Sequence, residues 1–186
     1  MEKTQSQKPP MKTSDEAQKE GLKLAKEQGD EYKKALHHMK HVADEMQAQH
    51  VGEYIVGLAI EKAEGMYHSE GGQLVWKNPI TENAHIEIAV QDATDERFIP
   101  GLSVTVTVLD QNGKAVGSHQ QPFLWHPWLY HYGLNWTLPG DGTYSIKVHI
   151  DPPTFPRHDK KNGQRYQQPV EVTFSGVEVK TGQKVE

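Results

Sequence analysis

The stretch LSVTVTVLDQNGKAVG, from Leu102 to Gly117, decides the fold class of this 186-residue chain. Its valines alternate with polar residues, which is the period-two pattern of a strand with one buried face. The pair Asn112-Gly113 that follows supplies the positive φ that a tight primed turn requires. We therefore predict an antiparallel β-hairpin at this point of the chain.

The same alternation recurs at a spacing of roughly ten residues, without helical patterns between the segments. This arrangement predicts an all-β fold, an immunoglobulin-like antiparallel β-sandwich over residues 51–186. The period-two pattern also names the side chains that should face its core: Ile86, Ile88, Val104, Val106, Val108, Ile146 and Val148. The segments themselves are EYIVGLAIEKAE (53–64), AHIEIAVQ (84–91), YSIKVHI (144–150) and VEVTFSGVEV (170–179).

The N-terminal part of the chain has a different character. Residues 1–20 are rich in Lys, Gln, Ser and Pro and predict a disordered tail. Residues 21–50 carry apolar side chains at three- and four-residue spacing and predict a helical extension. Gly29-Asp30 is expected to divide this extension into two helices, with Asp30 as the N-cap of the second.

Composition excludes several classes of function. The net charge of −5 argues against nucleic-acid binding, which requires clustered Lys and Arg. The absence of cysteine excludes disulfides, thiolate catalysis and zinc-thiolate sites. The sequence contains neither a membrane-spanning apolar run nor the apolar core of a signal peptide. The protein is therefore either retained in the cell or represented here as a mature chain.

Histidine is the unusual residue, with eleven in the chain. In the strand NAHIEIAV, His85 and Glu87 share the face opposite Ile86 and Ile88, and their α-carbons lie about 7 Å apart. An imidazole and a carboxylate in this geometry can bind one metal ion. The alternative is an ordinary solvated strand face.

Two other histidines stand in distinctive surroundings. His131 lies between two tyrosines in the aromatic stretch FLWHPWLYHYGLNW (123–136), where Gly133 allows a close backbone approach. The stretch is either the wall of a polar site or a core aromatic cluster with a hydrogen-bonded histidine. His158 lies at the tip of DPPTFPRHDKKNG (151–163), a loop stiffened by prolines, where a histidine is usually just exposed.

A further cluster, HHMKH, lies on the predicted helix. His37 and His41 are four residues apart, a spacing at which two imidazoles can chelate a divalent ion. His38 lies beside them, and the neighbouring lysines favour the interpretation of an ordinary solvated helix face. The sequence leaves the role of this cluster open.

Three of these motifs, in this order, resemble those of the small periplasmic metal-binding proteins associated with bacterial high-affinity iron transport. That family carries motifs similar to IHLE, PHYGAN and GRHxDxETG. The present chain has His-Ile-Glu at 85–87, His-Tyr-Gly-Leu-Asn at 131–135 and Arg-His-Asp at 157–159. The resemblance extends from about residue 52 to residue 176 and leaves the first fifty residues outside.

The resemblance implies an immunoglobulin-like homodimer that binds copper or iron. Carried over motif by motif, it implies the metal ligands His85, Glu87, His131 and His158. It also implies a periplasmic or other extracytoplasmic location and a membrane iron permease as partner. These implications come from the family and not from composition or spacing.

The family also uses a methionine ligand shortly before its middle motif, and this chain departs from that pattern. The corresponding run is Gln121-Pro122-Phe123, which has no methionine. His126 is a candidate to take that place, and Met66 is a more remote one. Imidazole and carboxylate ligands without a thioether favour Cu(II), Zn(II) or iron over Cu(I).

The sequence therefore predicts a non-enzymatic protein that binds a transition-metal ion, copper, iron or zinc, and supports iron uptake. Because histidines must be neutral to coordinate, metal affinity should fall as the pH drops through about 6.5, the reference imidazole pKa.

Two other functions are compatible with the same residues. One is a carbohydrate-binding or ligand-binding β-sandwich module, in which Trp125, Trp128, Tyr130 and Trp136 stack on sugar rings. The other is a metal-dependent oxidoreductase, since three histidines and a carboxylate can also hold a catalytic ion with an open coordination position.

Overall fold

In the computed structural model, which describes residues 8–184, one helix is followed by eleven strands. The helix, α1, spans Lys19–Met39. None of the described helical structure is both long and apolar enough to cross a membrane. The strands are β1 (Glu45–Val51), β2 (Tyr54–Glu61), β3 (Met66–Glu70), β4 (Gln73–Lys77), β5 (Ala84–Asp92), β6 (Val104–Leu109), β7 (Ala115–Gln120), β8 (Phe123–Trp125), β9 (Tyr130–Trp136), β10 (Gly142–Ile150) and β11 (Val170–Val179).

Two antiparallel sheets form the sandwich and confirm the predicted fold class. The first has the order β1-β2-β5-β9-β8, and the second has the order β11-β10-β6-β7. Strands β3 and β4 form a separate hairpin. Strand β5 is the middle strand of the first sheet, so its side chains have neighbours on both sides.

The core lies between the two sheets, and the period-two prediction for it is confirmed. All seven side chains predicted to face inward have no measurable exposure. The hairpin of β6 and β7 also forms as predicted, but only Gly113 of its turn has a positive φ, of 77°. The Gly113 N–H donates to the carbonyl of Asp110 at 2.9 Å, so the central residues of the turn are Gln111 and Asn112. Neither has a positive φ, and the turn is therefore not of a primed type.

Helix α1 runs unbroken through Gly29, so the predicted division into two helices is wrong. Gly29 instead allows the helix backbone to approach the turn after β5 closely. A Cβ at position 29 would lie 1.7 Å from the carbonyl oxygen of Asp95, in the turn after β5. The helix backbone therefore rests directly against this turn, which only glycine permits.

Further contacts hold α1 across the outer face of the first sheet. The Tyr32 hydroxyl donates to the carbonyl of Tyr130 at 2.6 Å. Lys33 forms an ion pair with Glu96, with a nitrogen–oxygen distance of 2.7 Å. Near the end of the helix, Met39 packs with residues of the sheet and of the β8–β9 connection in a buried apolar cluster. The helix thus covers a sheet face that would otherwise meet water.

The helical prediction for residues 21–50 is wrong after Met39. Residues Glu45–Val51 form β1, which pairs along its full length with β2. Local spacing of apolar residues suggested a helix, but the hydrogen bonds offered by the β2 edge determine the outcome. Met46, which belonged to the predicted helical stripe, packs in the same apolar cluster as Met39.

The predicted disordered tail is also partly replaced by structure. Residues 8–18 run along the connection between β10 and β11, where the Arg165 guanidinium donates to the carbonyl of Pro9 at 2.7 Å. The Ser14 hydroxyl donates to Asp159 at 2.7 Å in the same connection. The rest of the predicted tail, residues 1–7, lies outside the described residues.

The close approach at Gly29 generates a first prediction. Alanine normally stabilises a helix relative to glycine, and Gly21 of the same helix has open space for a Cβ. We expect Gly21→Ala to raise the free energy of unfolding by up to about 1 kcal/mol. Gly29→Ala should instead lower it by about 1–3 kcal/mol, because the new methyl overlaps the Asp95 backbone. Urea unfolding and amide exchange of α1 measure both effects, and equal gains in the two variants would contradict the described contact.

Candidate metal centre

The candidate site lies on the outer face of β5, beneath α1. Ile86 and Ile88 face the sandwich core, and His85 and Glu87 face the other way, as the sequence predicts. The solvated-face alternative is wrong, since His85 is 0% exposed and Glu87 is 5% exposed. Burial of both groups on one face calls for a partner that satisfies them.

His131 joins this pair through the ladder between β5 and β9. The Nε2 atoms of His85 and His131 each lie 3.5 Å from Oε1 of Glu87. One potential ligand atom from each of the three residues lies within 4.8 Å of the other two. We refer to His85, Glu87 and His131 as the buried centre.

Gly133 makes this convergence possible. It stands opposite Glu87 in the ladder, between the two imidazoles. A Cβ at position 133 would lie 3.0 Å from Nε2 of His85 and 3.1 Å from Cδ2 of His131. The interpretation of this glycine as a point of close approach is therefore supported by the geometry.

A hydrogen-bond chain fixes the orientation of His85. The Asn135 side-chain amide donates to the carbonyl of Glu64 at 2.7 Å, so its oxygen faces His85. That oxygen is 2.9 Å from Nδ1 of His85, which must therefore carry the proton and donate. The Nε2 lone pair then points toward Glu87 and has no hydrogen-bond partner among the described residues. A buried, unpartnered lone pair beside a carboxylate fits a metal ion.

Burial also sets the protonation of the centre. It lowers the pKa of His131 to about 3, with repulsion from His85 and His126 adding to the effect. It raises the pKa of Glu87 to about 8, with the charges of Glu61 and Glu64 adding to the effect. The imidazoles are thus ready to coordinate at neutral pH, whereas Glu87 must release a proton. We therefore expect the pKa of Glu87, rather than the imidazole value near 6.5, to set the pH range of metal binding.

Three charged residues beside the centre escaped sequence reasoning. Glu61 stands opposite His85 in the ladder of β2 and β5. Glu61, Glu64 and Glu87 form a carboxylate group whose ligand atoms lie within 4.8 Å of one another. The Lys184 ammonium bonds to both Glu61 and Glu64, the latter at 2.6 Å, and neutralises part of this charge. In the sequence, Glu61 is visible only as a glutamate at the end of an alternating strand. Its place beside His85 follows only once β2 is known to pair with β5.

A cavity of about 40 Å³ adjoins the buried centre. Glu87 and His131 line it together with His126, Trp128 and Met39. His126 is half-buried, and its ring centroid lies 6.3 Å from that of His131, which places this candidate at the edge of the site. Met39 is 4% exposed and lines the cavity from α1.

His158 does not join the other candidates within one chain. Its side chain is exposed in the connection between β10 and β11. That connection meets β5 at Asp92, through the hydroxyl of Tyr166. His85 lies at the opposite end of the same strand, about 20 Å away by strand rise.

The tryptophans of the aromatic stretch do not form one stacking platform. Trp136 is 3% exposed and belongs to the sandwich core, whereas Trp125 is 70% exposed. The carbohydrate-binding alternative as framed from the sequence therefore loses one of its four aromatic residues.

Comparison with known proteins identifies the family of this chain and solved structures with a similar fold. Residues 76–179 match the family described as Fe2+ transport protein. FetP of uropathogenic Escherichia coli strain F11 has a similar fold, with a TM-score of 0.60 and 17% identity over 74% of this chain and 98% of that one. Copper-reconstituted P19 of Campylobacter jejuni is similar, with a TM-score of 0.59 and 16% identity over 74% of this chain and 96% of that one. No curated protein matches at a significant level.

The protonation of Glu87 generates a prediction for the ion-free protein. Its folded pKa of about 8 exceeds its reference value of 4.5, so the bound proton stabilises the fold. That stabilisation is complete below about pH 4.5 and is lost as the pH rises through about 8. Glu87→Gln should match the stability of wild type near pH 4.5 and exceed it above pH 8, by on the order of 5 kcal/mol.

Urea unfolding in the presence of a chelator, at a series of pH values, measures this difference. Glu16→Gln, which changes an exposed carboxylate, is the control and should show no such trend. A Glu87→Gln difference that stays constant from acid to alkaline pH would show that Glu87 does not hold its proton.

Proposed function

This chain belongs to the Fe2+ transport protein family, and we propose that it binds a transition-metal ion at the buried centre in support of iron uptake. The observation that carries the proposal is the unpartnered Nε2 lone pair of His85, which faces Glu87 beside His131. These three residues are among the four that the family motifs match. A bound cation would satisfy all three buried groups at once.

The donor set indicates which ions the centre would hold. Two neutral imidazoles and one carboxylate suit copper, iron and zinc, whereas calcium and magnesium prefer oxygen ligands throughout. Copper is the ion named for both a FetP variant and reconstituted P19. Met39 also lines the cavity, and coordination by its thioether would extend the range of ions toward Cu(I).

His158 enters the proposal through a second copy of the chain. A homodimer would bring the exposed His158 of one protomer toward the buried centre of its partner. Exposed aromatic side chains on and beside the edge strand β8 support such an association, with Phe123, Trp125 and Tyr130 each 47–70% exposed. Large exposed aromatic residues on a sheet edge are typical of surfaces that become covered.

We place the protein outside the cytoplasm, with a membrane iron permease as its partner. The family description and the expression of FetP in the periplasm support the location, and the permease is what the resemblance of the motifs implies. In this role the protein holds the ion near the membrane and the permease carries it across.

Titration calorimetry with Cu(II) and Zn(II) tests the centre directly. His131→Gln should weaken binding of both ions by at least about 100-fold, because it removes one of the three ligands of the buried centre. His68→Gln, at an exposed histidine of β3, is the matched control and should bind as wild type does. Wild-type affinity in the His131 variant would refute the proposed centre.

The contribution of His158 is measured separately. His158→Gln should weaken binding in the dimer and leave the dimer itself intact, which sedimentation velocity reports. Tight binding by a monomeric wild type would contradict the role of the second copy and leave the centre itself standing.

Met39 generates a prediction about selectivity. Met39→Leu keeps the apolar volume and removes the sulfur, so Cu(I) affinity should fall by about tenfold while Zn(II) affinity stays unchanged. Met46→Leu changes a methionine of the same apolar cluster and serves as the control. Competition with a Cu(I)-specific chelator and the sulfur shell in X-ray absorption spectra report the outcome. An unchanged sulfur shell in Met39→Leu would rule out this ligand.

A further inference from the structure

Three exposed imidazoles, those of His37, His38 and His41, crowd the C-terminal end of α1. We propose that they form a surface site that captures a divalent transition-metal ion and passes it to the buried centre. The delivery step rests on the proposed function of that centre. The capture step rests on the helix end alone.

The three rings lie close to one another. His41 follows the helix in a turn in which its backbone N–H donates to the carbonyl of His38 at 2.9 Å. Its ring centroid is 5.8 Å from that of His37 and 6.5 Å from that of His38. Because all three side chains are exposed, changes of rotamer can bring two imidazole nitrogens onto one ion.

A row of aromatic rings connects this site with the cavity. His38 packs edge-on against Trp128 at 5.1 Å between centroids, and Trp128 packs edge-on against His126 at 4.9 Å. Trp128 and His126 both line the cavity that holds Glu87 and His131. A single indole therefore separates the surface site from the first imidazole of the interior, and the solvated-face interpretation does not account for this placement.

The local charges suit a site of transient occupancy. The C-terminal end of a helix carries partial negative charge, which attracts a cation. Lys34 is paired with Glu31 at 2.7 Å, whereas Lys40 stands beside the histidines in the chain. Attraction from the helix end and repulsion from Lys40 together favour weak binding, which a site that must release its ion requires.

Stopped-flow loading with Cu(II) tests the inference on the full chain. The variant H37Q/H38Q/H41Q should fill the buried centre about tenfold more slowly, because the high local ion concentration at its mouth is lost. Its equilibrium affinity at the buried centre should equal that of wild type. The control H50Q/H68Q/H119Q removes three exposed histidines elsewhere and should load at the wild-type rate.

A second measurement isolates the capture step. In E87Q/H131Q, which lacks the buried centre, the Cu(II) electron paramagnetic resonance spectrum should still show imidazole nitrogen ligation. Adding H37Q/H38Q/H41Q should remove the nitrogen ligation that the surface site contributes, and a spectrum left unchanged by this addition would overturn the surface site. Equal loading rates for wild type and H37Q/H38Q/H41Q would overturn delivery. A wild-type chain that never fills the buried centre would overturn the proposed function instead.

Discussion

The placement of a carboxyl group beside two buried, neutral imidazoles is the constraint on which the rest of this structure depends. Oε1 of Glu87 lies 3.5 Å from Nε2 of His85 and from Nε2 of His131. Nε2 of His85 carries no proton to donate, because the proton of this ring is on Nδ1. Burial without compensation costs free energy, which explains why the pKa of Glu87 is raised. The surrounding features follow from this arrangement: Gly133 makes room for the rings and Lys184 neutralises the neighbouring carboxylates.

The sandwich supplies this arrangement because β5 is covered on both sides. Its inner face packs in the core, as in many antiparallel sheets, but its outer face is covered by α1 rather than by water. Covering the outer face lowers the local dielectric and strengthens every electrostatic interaction within it. The same helix that was expected to be an appendage of the domain thus determines the chemistry of the centre.

The alternation of apolar and polar residues correctly predicted the features that depend on a single strand. Alternation identified the buried side chains of β6 and β10 and placed His85 and Glu87 on one face, and the family motif added His131. Features that arise from pairing between distant strands were missed. Strand β1 has a helical spacing but pairs with β2, and Glu61 meets His85 only because β2 lies beside β5. Lys184 reaches Glu64 across 120 residues of sequence. His158 was predicted as a ligand and lies elsewhere on the single chain.

The docking of α1 has a consequence for residence time. An ion bound beneath the helix would leave most rapidly when the end of the helix lifts, and such local openings need far less free energy than global unfolding. Part of the attachment is an exposed ion pair between Lys33 and Glu96, which dissolved salt screens. A higher ionic strength would then shorten the lifetime of the metal complex without altering any coordinating atom. The salt concentration around the protein would thus set the rate at which the ion is released.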